Sequence, residues 1–406
     1  MSDESDSDDQ RREPKRPSRR QLLAMTGTAV LGSIAGCSGD GEPATADPGA
    51  TPTETAAPTP TATATDTPTA TGTPSPSPTE TQSVEELIAQ YGCPAESDEY
   101  DAVVAKDGSG DFESVQAATD AIDPGTFDGF RVFIKPGRYK EKIRLPPNRT
   151  DVTFVGESAT ETVLTYDDHA DKTGDNGEEL GTSQSSSFFA DGLDFTARNI
   201  TFENAAPDVA QAVAMRVSGD RAFFENCRFV GNQDTLYNYG RGTRQYFRNC
   251  YVEGDVDFIF GLATAVFDNC KINCKDEGYI VAPATPEKQD HGYVFRNCEI
   301  TGDAPEQSVY LGRPWEPYGQ AVFMNSYLGD VIRPAGWEPW DEPEHDDKTK
   351  TAFLAEYNNE GPGAATDQRV DWAHQLSDAE AKQYESLETV FGGWTIEECL
   401  SDDASA

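Results

Sequence analysis

Phe224-Glu225-Asn226-Cys227, Phe247-Arg248-Asn249-Cys250, Phe267-Asp268-Asn269-Cys270, Phe295-Arg296-Asn297-Cys298 and Phe323-Met324-Asn325-Ser326 are one four-residue phrase written five times, its Phe recurring after 23, 20, 28 and 28 residues. Such a period, in segments rich in Phe, Val, Ile and Tyr, marks a solenoid in which each repeat is one coil stacked on the last. The pattern predicts an all-β domain, a right-handed parallel β-helix wound as a single-stranded solenoid. Asn tolerates the left-handed backbone region, so an Asn at each corner bends the strand and sends the Phe before it and the Cys after it into the core. Stacked Asn side chains are expected to hydrogen-bond from coil to coil.

The Cys column reads as buried thiols at Cys270 and Cys298. Coils about 4.8 Å apart leave a Cys227–Cys250 disulfide open. Cys93 and Cys399 either pair or stay free, and Cys274 has no evident partner.

Outward from the repeat, the chain has 406 residues with 72 acidic against 32 basic side chains, a net charge of -40. Nucleic acid is a poor partner for such a surface. The charge also repels acidic polysaccharide, so it does not steer such a substrate; it fits a halophilic protein whose self-repulsion is screened by concentrated salt.

Residues 1–37 read as an export signal. Ser18-Arg19-Arg20-Gln21-Leu22-Leu23 resembles a twin-arginine signal and Ile34-Ala35-Gly36-Cys37 a lipobox, with Cys37 as the lipidation site. From Glu42 to Ser83 the chain is Thr, Pro, Ala and Ser without Lys or Arg, too polar to fold. The expected plan is a signal at 1–37, a disordered stalk at 38–97, the β-helix domain at 98–398 and an acidic tail at 399–406. The domain is expected outside the cell, held at the surface by lipid alone, and monomeric.

Gln211, Asp234 and Asp257 are separated by 23 and again 23 residues, one local coil, and should stack on one face. Each Asp lies among apolar neighbours, in Gly231-Asn-Gln-Asp-Thr-Leu-Tyr237 and Gly254-Asp-Val-Asp-Phe-Ile-Phe-Gly261. Apolar surroundings raise a carboxyl pKa, and a second carboxyl raises one of the pair further, leaving one ionised nucleophile and one protonated acid. Arg313, in Tyr310-Leu-Gly-Arg-Pro-Trp315, could hold the ionised one in a fork. Asp255 reads as solvated. Strict strand alternation sends Gln233 and Asp234 to opposite faces, unless a bend or bulge intervenes.

These three segments in this order closely resemble the signature segments of the pectin methylesterase family. The resemblance extends to Val104-Ala-Lys-Asp-Gly-Ser-Gly-Asp-Phe112, Ile134-Lys-Pro-Gly-Arg-Tyr139, Ala197-Arg-Asn-Ile-Thr-Phe-Glu-Asn204 and Ala355-Glu-Tyr-Asn-Asn-Glu-Gly-Pro-Gly-Ala364. It implies pectin as substrate, Asp257 as nucleophile, Asp234 as acid then base, Gln211 and Gln233 as oxyanion donors, and Arg313 as the partner of Asp257. It also implies that Tyr237, Phe260 and Trp315 contact sugar, with Thr182 a weaker contact, and that no metal or other cofactor is needed.

His169, His291, His345 and His374 lie outside the three segments, and no Gly-x-Ser-x-Gly elbow is present, so a Ser-His-Asp triad has no support. The rivals are a β-helix lyase or hydrolase of pectin, the lyase needing Ca²⁺, and a polysaccharide-binding module without catalysis.

Overall fold

The computed structural model describes residues 100–125, 129–340 and 347–394. Cys37, Cys93, His345 and Cys399, with the expected signal, stalk and acidic tail, lie outside these residues. The strands pair in parallel into an eleven-stranded and a thirteen-stranded sheet, the arrangement of a parallel β-helix. The thirteen-stranded sheet holds two faces. Its long strands Tyr251–Gly261 and Lys271–Pro283 pair first with Arg228–Val230 and Glu299–Gly302, then with Leu236–Asn238 and Val309–Gly312.

The repeated phrase builds the eleven-stranded sheet. Phe224, Phe247, Phe267, Phe295 and Phe323 occupy one register column. Their rings stack with centroids 4.8, 4.5, 4.5 and 4.3 Å apart, which places the ring spacing close to the strand spacing. All five are fully buried, and each such burial stabilises the fold by about 1.5–3 kcal/mol. The Asn corners are left-handed as expected, with φ between 50° and 56° from Asn226 to Asn325. The Asn ladder is partial: Asn269 donates to Asn249 at 2.7 Å, whereas Asn297 turns to Asp268 at 3.1 Å.

All five cysteines among the described residues are free and buried, so Cys227 and Cys250 form no disulfide. Instead the thiols of Cys250, Cys270 and Cys298 donate to the carbonyls of Phe224, Phe247 and Phe267 at 3.4–3.5 Å. Burial pushes these thiols up, which makes them packing groups rather than reactive ones.

Residues that alternate with the Phe column point outward and need a cover. Phe223, Tyr246, Val266, Val294 and Val322 receive it from Ala381, Tyr384, Val390 and Phe391, on and just after two C-terminal helices, Asp378–Glu385 and Leu387–Val390. Ser377 and Glu380 close a capping box at the first. At the other end Val115 and Ala118, from the helix Val115–Asp120, join the main core.

Candidate active site

Asp234 and Asp257 both have positive φ, 65° and 49°. Asp is among the few residues that enter the left-handed region at modest cost. This turn resolves the problem of strict alternation, because the backbone twists at Asp234 and Gln233 is not followed by a regular strand residue. At Asp257 the strand Tyr251–Gly261 slips register against its neighbour between Gly254 and Ile259, a bulge that re-aims the side chain. The coils meet here: Ala212 N–H donates to Gln233 O at 3.1 Å and Asp234 N–H to Val256 O at 3.1 Å. Gln211 is therefore beside Gln233, and Asp234 beside Asp257.

Both carboxyls are nearly buried, at 8% and 6% exposure, but their partners differ. Arg313 forks onto Asp257, Nε donating to Oδ1 at 3.0 Å and Nη2 to Oδ2 at 2.6 Å. Asp234 makes no side-chain hydrogen bond or ion pair among the described residues. Burial pushes Asp257 up while the Arg313 fork opposes that push. Burial, and then the charge of Asp257, hold Asp234 well above the carboxylate range. The pair is thus arranged to carry one charge and one proton. The half-buried side-chain amides of Gln211 and Gln233 have no protein partner among the described residues and remain available to donate.

Beside the carboxyls lies an apolar cluster separate from the main core: Val213, Tyr237, Phe260 and Ala282, with Trp315 and Trp340 packed against it. Tyr237 and Phe260 stack at 4.1 Å, and Trp315 lies 5.9 Å from Phe260. Phe260 thus belongs to the outer face rather than the solenoid interior, though little of its ring is exposed. Thr182 sits in the short helical turn Gly181–Gln184. Gly181 N–H donates to Ala170 O and Ala170 N–H to Gln211 O, which ties that turn to the site.

Asp255 departs from expectation. It is buried rather than solvated, its Oδ1 accepting from Val256 N–H at 2.6 Å, and burial raises its pKa. Its charge is felt by Asp234, so it lies beside the site. Among the described residues no histidine bonds either site carboxyl; His291 packs on Tyr384 and His374 on Phe353.

Two site residues escaped the sequence reading. Tyr279 and Trp340 lie over the Arg313 guanidinium at 3.8 and 3.9 Å. Stacking on aromatic faces suits a planar guanidinium and fixes its plane, so they hold the fork that holds Asp257. Tyr279 could have been found by register, since it pairs with Val256 on one side and Tyr310 on the other. Nothing local in sequence marks Trp340.

Paired carboxyls of unequal acidity, unpartnered amide donors and a row of aromatics on the outer face of a parallel β-helix define a carbohydrate-directed hydrolytic site. A family model described as Pectinesterase matches residues 101–393, and this chain belongs to that family. It is similar to Pectinesterase 31 of Arabidopsis thaliana, 42% identical over 288 residues that cover 69% of this chain and 89% of the relative. A pectinesterase of Petunia integrifolia is 39% identical over 284 residues, 67% and 73% of the two chains. Among solved structures, pectin methylesterase from carrot superposes with a TM-score of 0.66 at 33% identity, covering 72% of this chain and 93% of that one. The pectin methylesterase of Erwinia chrysanthemi gives 0.63 at 32%, covering 73% and 98%.

Proposed function

We propose that this chain hydrolyses the methyl esters of pectin, giving methanol and pectate through an acyl-enzyme on Asp257. The observation that carries this reading is the asymmetry of the pair: the Arg313 fork bonds Asp257 and opposes the rise that burial gives it, while Asp234 has no bonded cation and burial with the charge of Asp257 holds it well above the carboxylate range. A carboxylate oxygen of Asp257 attacks the ester carbonyl carbon. Gln211 and Gln233 donate to the carbonyl oxygen as it gains charge. The tetrahedral adduct expels the methoxy group, which takes the proton of Asp234 and leaves as methanol. Asp234, now a carboxylate, removes a proton from water, whose oxygen attacks the galacturonyl carbonyl of the anhydride. That bond breaks to restore the Asp257 carboxylate and a protonated Asp234, and the new uronic acid loses its proton to solvent. Tyr237, Phe260 and Trp315 bind sugar faces beside the reacting ester, and Thr182 contacts the chain more weakly. Methanol release from methylated pectin tests this. Ultraviolet-absorbing unsaturated products without methanol would assign the site to a lyase instead.

We further propose that the domain is exported, lipidated at Cys37 and held off the surface by the Thr/Pro-rich stalk, and that its charge is a halophilic adaptation. The Arg19-Arg20 pair, the Ile34–Cys37 box and the net charge of -40 support this. Cys37→Ala should release active protein into the medium. Full folding and activity without added salt would contradict the halophilic assignment.

A further inference from the structure

Outward-facing residues of five neighbouring strands form one register row: Arg144, Phe189, Arg216, Tyr237 and Phe260. The last two are the aromatic floor beside the carboxyls. The row continues from Tyr237 onto two arginines, and three strand spacings put Arg144 roughly 14 Å from Tyr237.

Both guanidiniums lie over the ring of Phe189, Arg144 at 3.6 Å and Arg216 at 4.9 Å. Arg216 also faces Tyr239 at 4.8 Å, and that ring is 42% exposed. Arg216 is committed within the protein: it donates to Asp191 Oδ1 at 2.9 Å and to Ser183 Oγ at 3.0 Å. The Arg144 side chain donates only to the neutral Gln184 Oε1 at 3.0 Å, and it has no carboxylate partner among the described residues. In a chain with 72 acids for 32 bases, an exposed guanidinium without a carboxylate is conspicuous. Partial burial against Phe189 and the neighbouring Arg216 disfavour its charge, and the nearby Asp191, already bonded to Arg216, only partly offsets them. An apolar side chain would cover Phe189 without that repulsion. The two arginines also fasten Ser183 and Gln184, the same turn that carries Thr182.

We propose that Arg144, backed by Arg216, Phe189 and Tyr239, is a subsite for the carboxylate of a uronate unit that has already lost its methyl group, on the same polymer chain whose ester lies at Asp257. This rests on the pectin-esterase reading and adds a preference to it: free carboxylates at that distance along the groove favour binding. The planar guanidinium, with its donors unfilled by any acid of the protein, suits a carboxylate in a bidentate contact.

The test is methanol release by the full-length enzyme and by Arg144→Gln on two pectins of equal length, one fully methylated and one partly demethylated. The expected result is a rise in KM of about tenfold on the partly demethylated polymer, the size of one charge-assisted contact. On the fully methylated polymer KM should move by less than about twofold, and kcat should hold on both. Arg144→Lys, which keeps the charge but loses the fork and the planar stack, should fall between the wild type and Arg144→Gln, still with the larger change on the partly demethylated polymer. Equal changes on both polymers in both variants would mean that Arg144 only packs on Phe189 and would overturn the subsite. So would no change on either. Failure of the wild type to release methanol from any pectin would overturn the underlying esterase reading instead.

Discussion

Arg313→Gln removes the one cation that opposes the burial of Asp257. Two charge-assisted hydrogen bonds, at 3.0 and 2.6 Å, disappear together. Each is worth about 1.5–3 kcal/mol, and breaking a buried ion pair typically costs about 3–5 kcal/mol in all. If most of that is lost from transition-state stabilisation, kcat/KM falls about 10²–10³-fold. The pH dependence carries the sharper signature. Without the fork the pKa of Asp257 rises further, so the acidic limb of kcat/KM moves to higher pH. Linkage has the same sign. A carboxyl whose folded pKa lies above its unfolded one destabilises the fold as pH rises from the unfolded toward the folded value. The variant should therefore lose most Tm at neutral pH and regain much of it in acid. Methanol release across pH and thermal melts across pH measure both. Arg313→Lys should fall between, about tenfold to hundredfold slower, because an ammonium supplies charge but neither the fork nor the stack between Tyr279 and Trp340. An acidic limb that stays in place in Arg313→Gln would refute the assignment of Arg313 as the group that keeps Asp257 ionised.

Trp340→Ala leaves the fork in place but frees its plane, and should lower kcat about tenfold with KM nearly unchanged, the scale of one desolvated cation–π contact; steady-state methanol assays read it. Asp234→Asn should abolish turnover yet raise Tm at pH 7 by roughly 2–4 °C, because a carboxyl held well above its ordinary range opposes folding once the pH exceeds its unfolded pKa. The gain should vanish near pH 3. Phe267→Ala removes the centre of the ring column and should cost about 3–5 kcal/mol by denaturant titration.

The solenoid was legible because five coils repeat Phe and Asn at positions where only a ring column and a left-handed corner satisfy the geometry. Two further coils share the corner and were not visible in the phrase: Ala197-Arg198-Asn199 and Glu356-Tyr357-Asn358 have φ of 56° and 49° at their Asn. Ala197 pairs with Phe224 and Glu356 with Phe323, so the column ends where Phe is replaced, and Glu356 is answered by a forked Arg369 at 2.7 and 3.1 Å. Asp at a corner gives no such signal, since the same residue is usually a solvated acid. The turn at Asp234, the bulge at Asp257 and the burial of Asp255 were illegible for that reason. Spacing aligned Asp234 with Asp257 on consecutive coils, whereas Gln211 falls one residue out of step, beside Gln233. The sandwich on Arg313 depends on a ring beyond the last Phe coil, Trp340, whose position no repeat predicts.

Asp257 as the nucleophile is the claim on which the rest depends, and Asp257→Asn tests it most directly. Single-turnover methanol release from methylated pectin should fall by on the order of 10⁴-fold or more, with the melting transition retained because Asp257 projects from the outer face rather than filling the core. Methanol release within tenfold of the wild type by a folded Asp257→Asn enzyme would contradict it.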